Sequence, residues 1–422
     1  MNRMRGTESG TKLAKEDVWD QVSALIGRFG QAAEQCAARF DFGISPDAIR
    51  GRIEPIVSDA LRIQGAGWNA LPGGRALEEC LSTLRELAPK TYRKTVARIA
   101  GVFVIHSYFR SRMTHEAVAR AIATSSFYEM AQDLLDDLLD GGGWTVREAV
   151  RLYDRCLRPI TDPTVSTAGL EDELANFMGP GQDGLEHVLA IATRELRALL
   201  AAGDERIRRL VHEGHEALTH AQAATIHFRR EALDIPAVTN IAARLPSPDA
   251  SLPWLDRLAI YASWPSNIAL FDAVFTSVTV PQRELDAHAR AWLSFDEAVT
   301  FLEHFAGTEA DVREGVVNIA CLYANVSSTI FEENPFRGFA PPQRESIFAK
   351  ATECLVRAVH EGIAGGGPPE EYALLAVMIP TIIFAFCKTP PDQAESFFAS
   401  LAPALRASME TGVVTSEVAI PA

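Results

Sequence analysis

The sequence has little that would cross-link the chain or draw it to a polyanion. Its six cysteines, Cys36, Cys80, Cys156, Cys321, Cys354 and Cys387, are scattered with no C-x-x-C pair. That spacing excludes a zinc ribbon, a dithiol redox motif and a disulfide framework, and it suits buried thiols in a reducing cytosol. Basic charge is scarce, with 40 Lys+Arg against 55 Asp+Glu and a formal net charge of -15. Such a chain repels phosphate backbones and anionic lipid, so no nucleic acid is expected among its partners. Its first residues, MNRMRGTESGTKLAKEDVW, contain no apolar signal-peptide core. The greasiest run, Tyr372 to Phe386, is short for a bilayer and interrupted by Pro380. A cytoplasmic protein without a transmembrane segment is therefore expected. Sustained strict alternation is missing, which argues against sheets, and so is any fixed-period repeat, which argues against a solenoid.

What remains is a chain of 422 residues, 47% of them apolar, enough for a large core without covalent staples. From Val18 onward apolar residues recur at three- and four-residue spacing. This predicts an all-α fold, one large helical bundle over residues 15–412 with loose tails at 1–14 and 413–422, as a monomer or homodimer. Expected helices include Ser45 to Ile63, Thr91 to Arg110, Thr114 to Asp140 and Thr145 to Cys156. Further ones are Glu205 to Leu233, Leu252 to Val278, Gln282 to Phe305 and Glu309 to Glu332. The stretch from Arg158 to Gly184 is weakly patterned and reads as a long loop.

One segment carries chemistry. In Gln132-Asp133-Leu134-Leu135-Asp136-Asp137-Leu138-Leu139-Asp140, four aspartates recur at i, i+3, i+4 and i+7, while the leucines take the other face. A solvated amphipathic face is the plain explanation. Against it, like charges one turn apart repel, a helix carboxyl end disfavours anions, and no lysine is interspersed along the stripe. A hard cation would supply the counter-charge, and carboxylate-held Mg²⁺ characteristically engages substrate phosphates. Stripe and Mg²⁺ together imply a diphosphate, and the D-D-x-x-D arrangement is similar to the one by which all-helical isoprenoid synthases present Mg²⁺ to a prenyl diphosphate, a likeness that puts Asp136, Asp137 and Asp140 closest to the chemistry.

These residues resemble the first acidic motif, approximately D-Y-L-D-N-L-C-D, of the bacterial large-substrate class I terpene synthases, the tetraprenyl-β-curcumene synthase family. A second family pattern, L-L-D-Y-F-I-D-x-x-x-D-R-x-x-G-D-L-N-F, is similar to Phe301-Leu302-Glu303-His304-Phe305-Ala306-Gly307 through Asp311, Gly315, Asn318 and Ile319. The resemblance spans roughly Phe127 to Phe386. It implies the class I isoprenoid synthase fold, Mg²⁺ held by Asp133, Asp136, Asp137, Asp140, Glu303 and Asp311, and a lyase that ionises a long-chain prenyl diphosphate and releases a terpene plus diphosphate. Two departures stand out: Gly307 and Val316 replace family aspartates. They leave open a non-catalytic helical protein descended from the family, beside a prenyltransferase using the same acidic helix.

A competing second metal site is Asn325, Thr329 and Glu333, whose N-x-x-x-T-x-x-x-E spacing puts them one turn apart if one helix carries them all. Arg229 and Arg230 are candidates for diphosphate binding, since guanidinium forks take phosphate bidentately. The aromatics Phe127, Tyr261, Trp264 and Phe271 are candidate cavity walls, where ring faces stabilise cations, although core packing explains them equally well. His212, His215, His220 and His227 lack the H-E-x-x-H arrangement and read as ordinary helix-face histidines.

Overall fold

In the computed structural model, the residues described are 18–106, 112–141, 144–162, 164–178, 184–201, 212, 214–221, 239–240, 242–243, 245, 252–262, 265–276, 280–314, 318–325 and 338–412. Among them are fifteen α-helices, a 3-10 turn at Trp68–Ala70 and no strand. The helices are α1 (Val18–Arg39), α2 (Pro46–Ala66), α3 (Gly74–Leu87), α4 (Pro89–Ile105), α5 (His115–Gly141), α6 (Val146–Thr161), α7 (Leu170–Met178) and α8 (Leu185–Leu200). They continue as α9 (Trp254–Ala262), α10 (Pro265–Thr276), α11 (Gln282–Glu314), α12 (Ile319–Tyr323), α13 (Pro341–Ala364), α14 (Pro369–Phe386) and α15 (Pro391–Gly412). The protein is all-α.

Local chemistry sets several of the starts. Ser45 Oγ accepts from the Ala48 N–H at 3.1 Å ahead of Pro46, and Thr145 with Glu148 forms a reciprocal capping box at the head of α6. One connected set of buried apolar side chains runs from Val18 on α1 to Leu405 on α15. Where α13 meets α14, the Tyr372 ring lies where a side chain at position 362 would begin, a Cβ there being 2.2 Å from Tyr372 Cζ. Only glycine permits that approach.

Several boundaries differ from the sequence expectation. Helix α3 was not foreseen, although Leu77, Leu81 and Leu84 line its buried face. Of Leu252 to Val278 the described residues show helix at Trp254–Ala262 and Pro265–Thr276. Gln282 to Glu314 is a single helix that runs straight through Gly307, so the break expected after Phe305 is not there. Helix α6 continues past Cys156 to Thr161, and α7 occupies part of the expected loop between Arg158 and Gly184. Most of Glu205 to Leu233 and both expected tails lie outside the described residues.

Three packing relations position the site. Helices α4 and α5 lie antiparallel, with Thr91 opposite Asp137 and Thr95 opposite Asp133. Helix α5 also packs on α8 and α3, so its acidic stripe is left to α4. The long α11 packs on α9, α10, α13 and α14, and α14 in turn reaches α1 and α4. Helix α14 is the one described helix long and apolar enough, by length and composition, to cross a membrane, and 72% of that span is buried inside the protein.

Candidate functional site

Asp133, Asp136 and Asp137 of the acidic stripe on α5 are turned toward a neighbouring helix. They meet a basic stripe on α4, where Lys90, Lys94 and Arg98 recur one turn apart. Lys94 Nζ lies 2.5 Å from Asp136 Oδ2 and 3.4 Å from Asp133 Oδ1. Arg98 lies 3.7 Å from Asp133 and 3.3 Å from Glu303, and Lys90 lies 3.4 Å from Asp137. Hydroxyls complete the seam: Thr95 donates to Asp133 Oδ2 at 3.1 Å and Thr91 to Asp137 Oδ2 at 2.6 Å. Through Arg98 the stripe on α5 and Glu303 on α11 are drawn together.

Burial makes these contacts count. Asp133 is 3% exposed, and desolvation pushes its carboxyl above the ordinary value against the pull of Lys94 and Arg98. Desolvation works the same way on Asp136, but there Lys94 wins and the pKa falls below the ordinary value. Burial opposes the charged forms of Lys94 and Arg98. The surrounding carboxylates outweigh it, Asp136 first for Lys94 and Glu303 first for Arg98, so both stay firmly protonated.

Glu129, one turn before Asp133, is a further member that the sequence reading missed. It is 1% exposed, neither carboxyl oxygen has a hydrogen-bond partner among the described residues, and burial raises its pKa well above the carboxylate range. Burial therefore disfavours its charged form, against the pull of Arg98 and Lys94.

Beside this cluster lies an open apolar groove between α4, α11 and α14. Arg98 and Glu303 are its charged residues; the walls are aliphatic, with Gly101, Val299, Leu375, Ile379 and Ile383 among them, and Phe386 at the rim is 45% exposed. An apolar group beside an anionic or cationic one is what such a lining can take.

The remaining sequence candidates fall in three groups. Asp311 shares a face of α11 with Glu303 and Gly307, and its carboxylate accepts from Asn318 Nδ2 at 2.7 Å. Phe127 and Phe271 are fully buried and Tyr261 nearly so, and none of the three lines the groove; Phe271 packs edge-on to Tyr128 at 5.1 Å. They are core residues, the packing explanation allowed for them. Asn325 stands in a left-handed turn, φ 53°, after α12 has ended, and its proposed partners lie outside the described residues. Thr329, Glu333, Arg229, Arg230, Trp264 and the side chain of Asp140 lie outside the described residues.

Carboxylate oxygen is the right donor chemistry for Mg²⁺, but the arrangement does not fit it. Among the described residues no three His, Cys, Asp or Glu side chains converge as a metal site. Asp133, Asp136, Asp137 and Glu303 are each engaged by a lysine or arginine instead. The counter-charge that the stripe lacks in its own sequence comes from the neighbouring helix.

Another buried chain of polar groups stands apart. Ser125 Oγ donates to His106 Nε2 at 2.8 Å, and His106 Nδ1 donates to Asp272. Burial drives the His106 pKa down to about 3, so the ring is neutral. The order is that of a proton relay, but all three residues are buried and none lines the groove. His215, held between Tyr128 and Thr219 at 3.4 Å each, is likewise neutral in the core.

No protein-family model matches this chain, and no curated protein matches it.

Proposed function

We propose that this protein acts on a prenyl chain bearing a diphosphate head, as a carbon–oxygen lyase of the terpene synthase kind, in the cytosol. One observation carries the reading: the acidic face of α5 and Glu303 of α11 meet, through Arg98, at the charged residues of an apolar groove. The groove takes the hydrocarbon, and Lys94 and Arg98 take the head by charge-assisted hydrogen bonds. Ionisation breaks the carbon–oxygen bond with its electron pair leaving on the diphosphate. The allylic cation then stays among aliphatic walls that exclude water until it loses a proton or captures one water molecule. All six cysteines are free thiols, in keeping with a reducing compartment.

The test is incubation of the purified chain with prenyl diphosphates of graded length, in Mg²⁺ and separately in EDTA, reading released diphosphate and extracted hydrocarbon. If every length yields neither product, the lyase is refuted. A second reading, a non-catalytic carrier of a prenyl chain, is favoured by the existing neutralisation of Asp133 and Asp136 by Lys94 and Arg98. Tight binding of the same compounds without turnover selects it.

A further inference from the structure

Four carboxylates on two helices must be counter-charged if they are to stand in a largely buried seam. The seam supplies its own cations, and their placement is specific. Lys94 bridges Asp133 and Asp136 as a single positive centre between two carboxylates, at 3.4 and 2.5 Å. Arg98 bridges Asp133 on α5 and Glu303 on α11, at 3.7 and 3.3 Å. Lys90 closes the outer end on Asp137. A divalent ion entering between Asp133 and Asp136 would have to displace the Lys94 ammonium or share its space against direct repulsion.

Of these cations Arg98 is the one that lines the groove, and Lys94 stands beside it, outside the lining. The Arg98 guanidinium carries five donors. Lys94 sits one turn earlier on α4, 19% exposed, with three donors of which two are directed at carboxylates. We propose that Lys94 holds the place a divalent cation would take on the acidic face of α5, and that the site binds the anionic head of an apolar-chain ligand through Lys94 and Arg98 without Mg²⁺. This rests on the proposed function for the identity of the chain, and it removes the metal from the recognition of the head.

The experiment uses the full chain and geranylgeranyl monophosphate as the probe, titrated calorimetrically in EDTA and in Mg²⁺, with thermal midpoints in both buffers. The dissociation constant in the two buffers should agree within about twofold, and Mg²⁺ alone should not move the wild-type midpoint. In Lys94→Met the carboxylates lose their cation. The midpoint falls and Mg²⁺ restores it, while affinity for the probe in EDTA weakens roughly tenfold or more. Probe binding by the wild type only with Mg²⁺, or a wild-type midpoint raised by Mg²⁺ alone, overturns this inference and leaves the lyase standing. No binding in either buffer overturns both. If Lys94→Met does not fold, the two wild-type measurements still decide the matter.

Discussion

Gly101 offers the sharpest perturbation of the groove. It lies on α4, one turn after Ala97, is buried, and a Cβ built on it has no neighbour within 4 Å outside its own helix backbone. In Gly101→Leu the helix loses the flexibility penalty of glycine, worth about 0.8 kcal/mol. The isobutyl group enters apolar space, and burial adds about 1.5 kcal/mol. Together they should stabilise the fold by about 2 kcal/mol. At roughly 2 cal/mol/K of unfolding entropy per residue, a chain of 422 residues then melts about 2 °C higher. The same side chain displaces about three or four methylenes of a bound chain at roughly 0.8 kcal/mol each, or about a hundredfold in affinity. That loss should appear only for ligands long enough to pass Gly101. Differential scanning fluorimetry and titrations with prenyl phosphates of increasing length, on the same preparation, read both effects. A lower midpoint would show that the space is not there, and an equal loss for short and long ligands would show that the groove does not hold the chain.

Three other expectations follow from the ion pairs and from α11. Asp133→Asn leaves Lys94 and Arg98 buried with less counter-charge and should destabilise by about 3 kcal/mol; an unchanged melting curve would contradict the seam. His187 stands 3.1 Å from Glu79 and 3.1 Å from Glu171, and those hydrogen bonds raise its pKa above 6.5. A raised folded-state pKa stabilises fully below the unfolded value and is lost as pH climbs through the folded one. The midpoint gap between wild type and His187→Gln should therefore be widest near about pH 5.5 and fade in alkali, and a gap constant across that range excludes the charge clamp. Gly307→Asp adds a carboxylate with room to spare, 3.8 Å from Asp311 Oδ1 at its Cβ, on the face shared with Glu303. Repulsion of a few tenths of a kcal/mol per neighbour offsets the propensity gain, so the midpoint in EDTA should stay within about 1 °C. A Mg²⁺-dependent rise should appear in this variant and not in the parent; identical Mg²⁺ titrations would show that Glu303, Gly307 and Asp311 do not act together.

The helical class was legible because three-and-four spacing is a local property that burial of one helix face enforces. Breaks were less so, since Gly307 is tolerated inside α11 where its glycine character reads as an end. The acidic stripe was legible as a stripe, and Glu303 as its counterpart across the bundle. What could not be read within that segment was the counter-charge, because the lysines sit some forty residues away on a different helix. The signal was nonetheless present: Lys90, Lys94 and Arg98 repeat at four-residue spacing, the same step that joins Asp133 to Asp137. The cavity aromatics show the converse, since ring-rich helices look alike whether they line a core or a groove.

The antiparallel seam of α4 and α5 also bears on how the chain assembles. Its ion pairs join residues 35 to 47 apart, across a short connection, whereas Glu303 and the α14 side of the groove lie more than two hundred residues beyond Arg98 in the chain. Contacts of low sequence separation form first, because less chain must be ordered to make them. Lys94 and Asp136 therefore meet while water still surrounds both, and the pair is dehydrated only afterwards, when α11 and α14 close over it. Neither charge has to cross into the interior alone. A circular permutation that separated α4 from α5 would reverse that order, and slower refolding with little change in final stability is its expected signature.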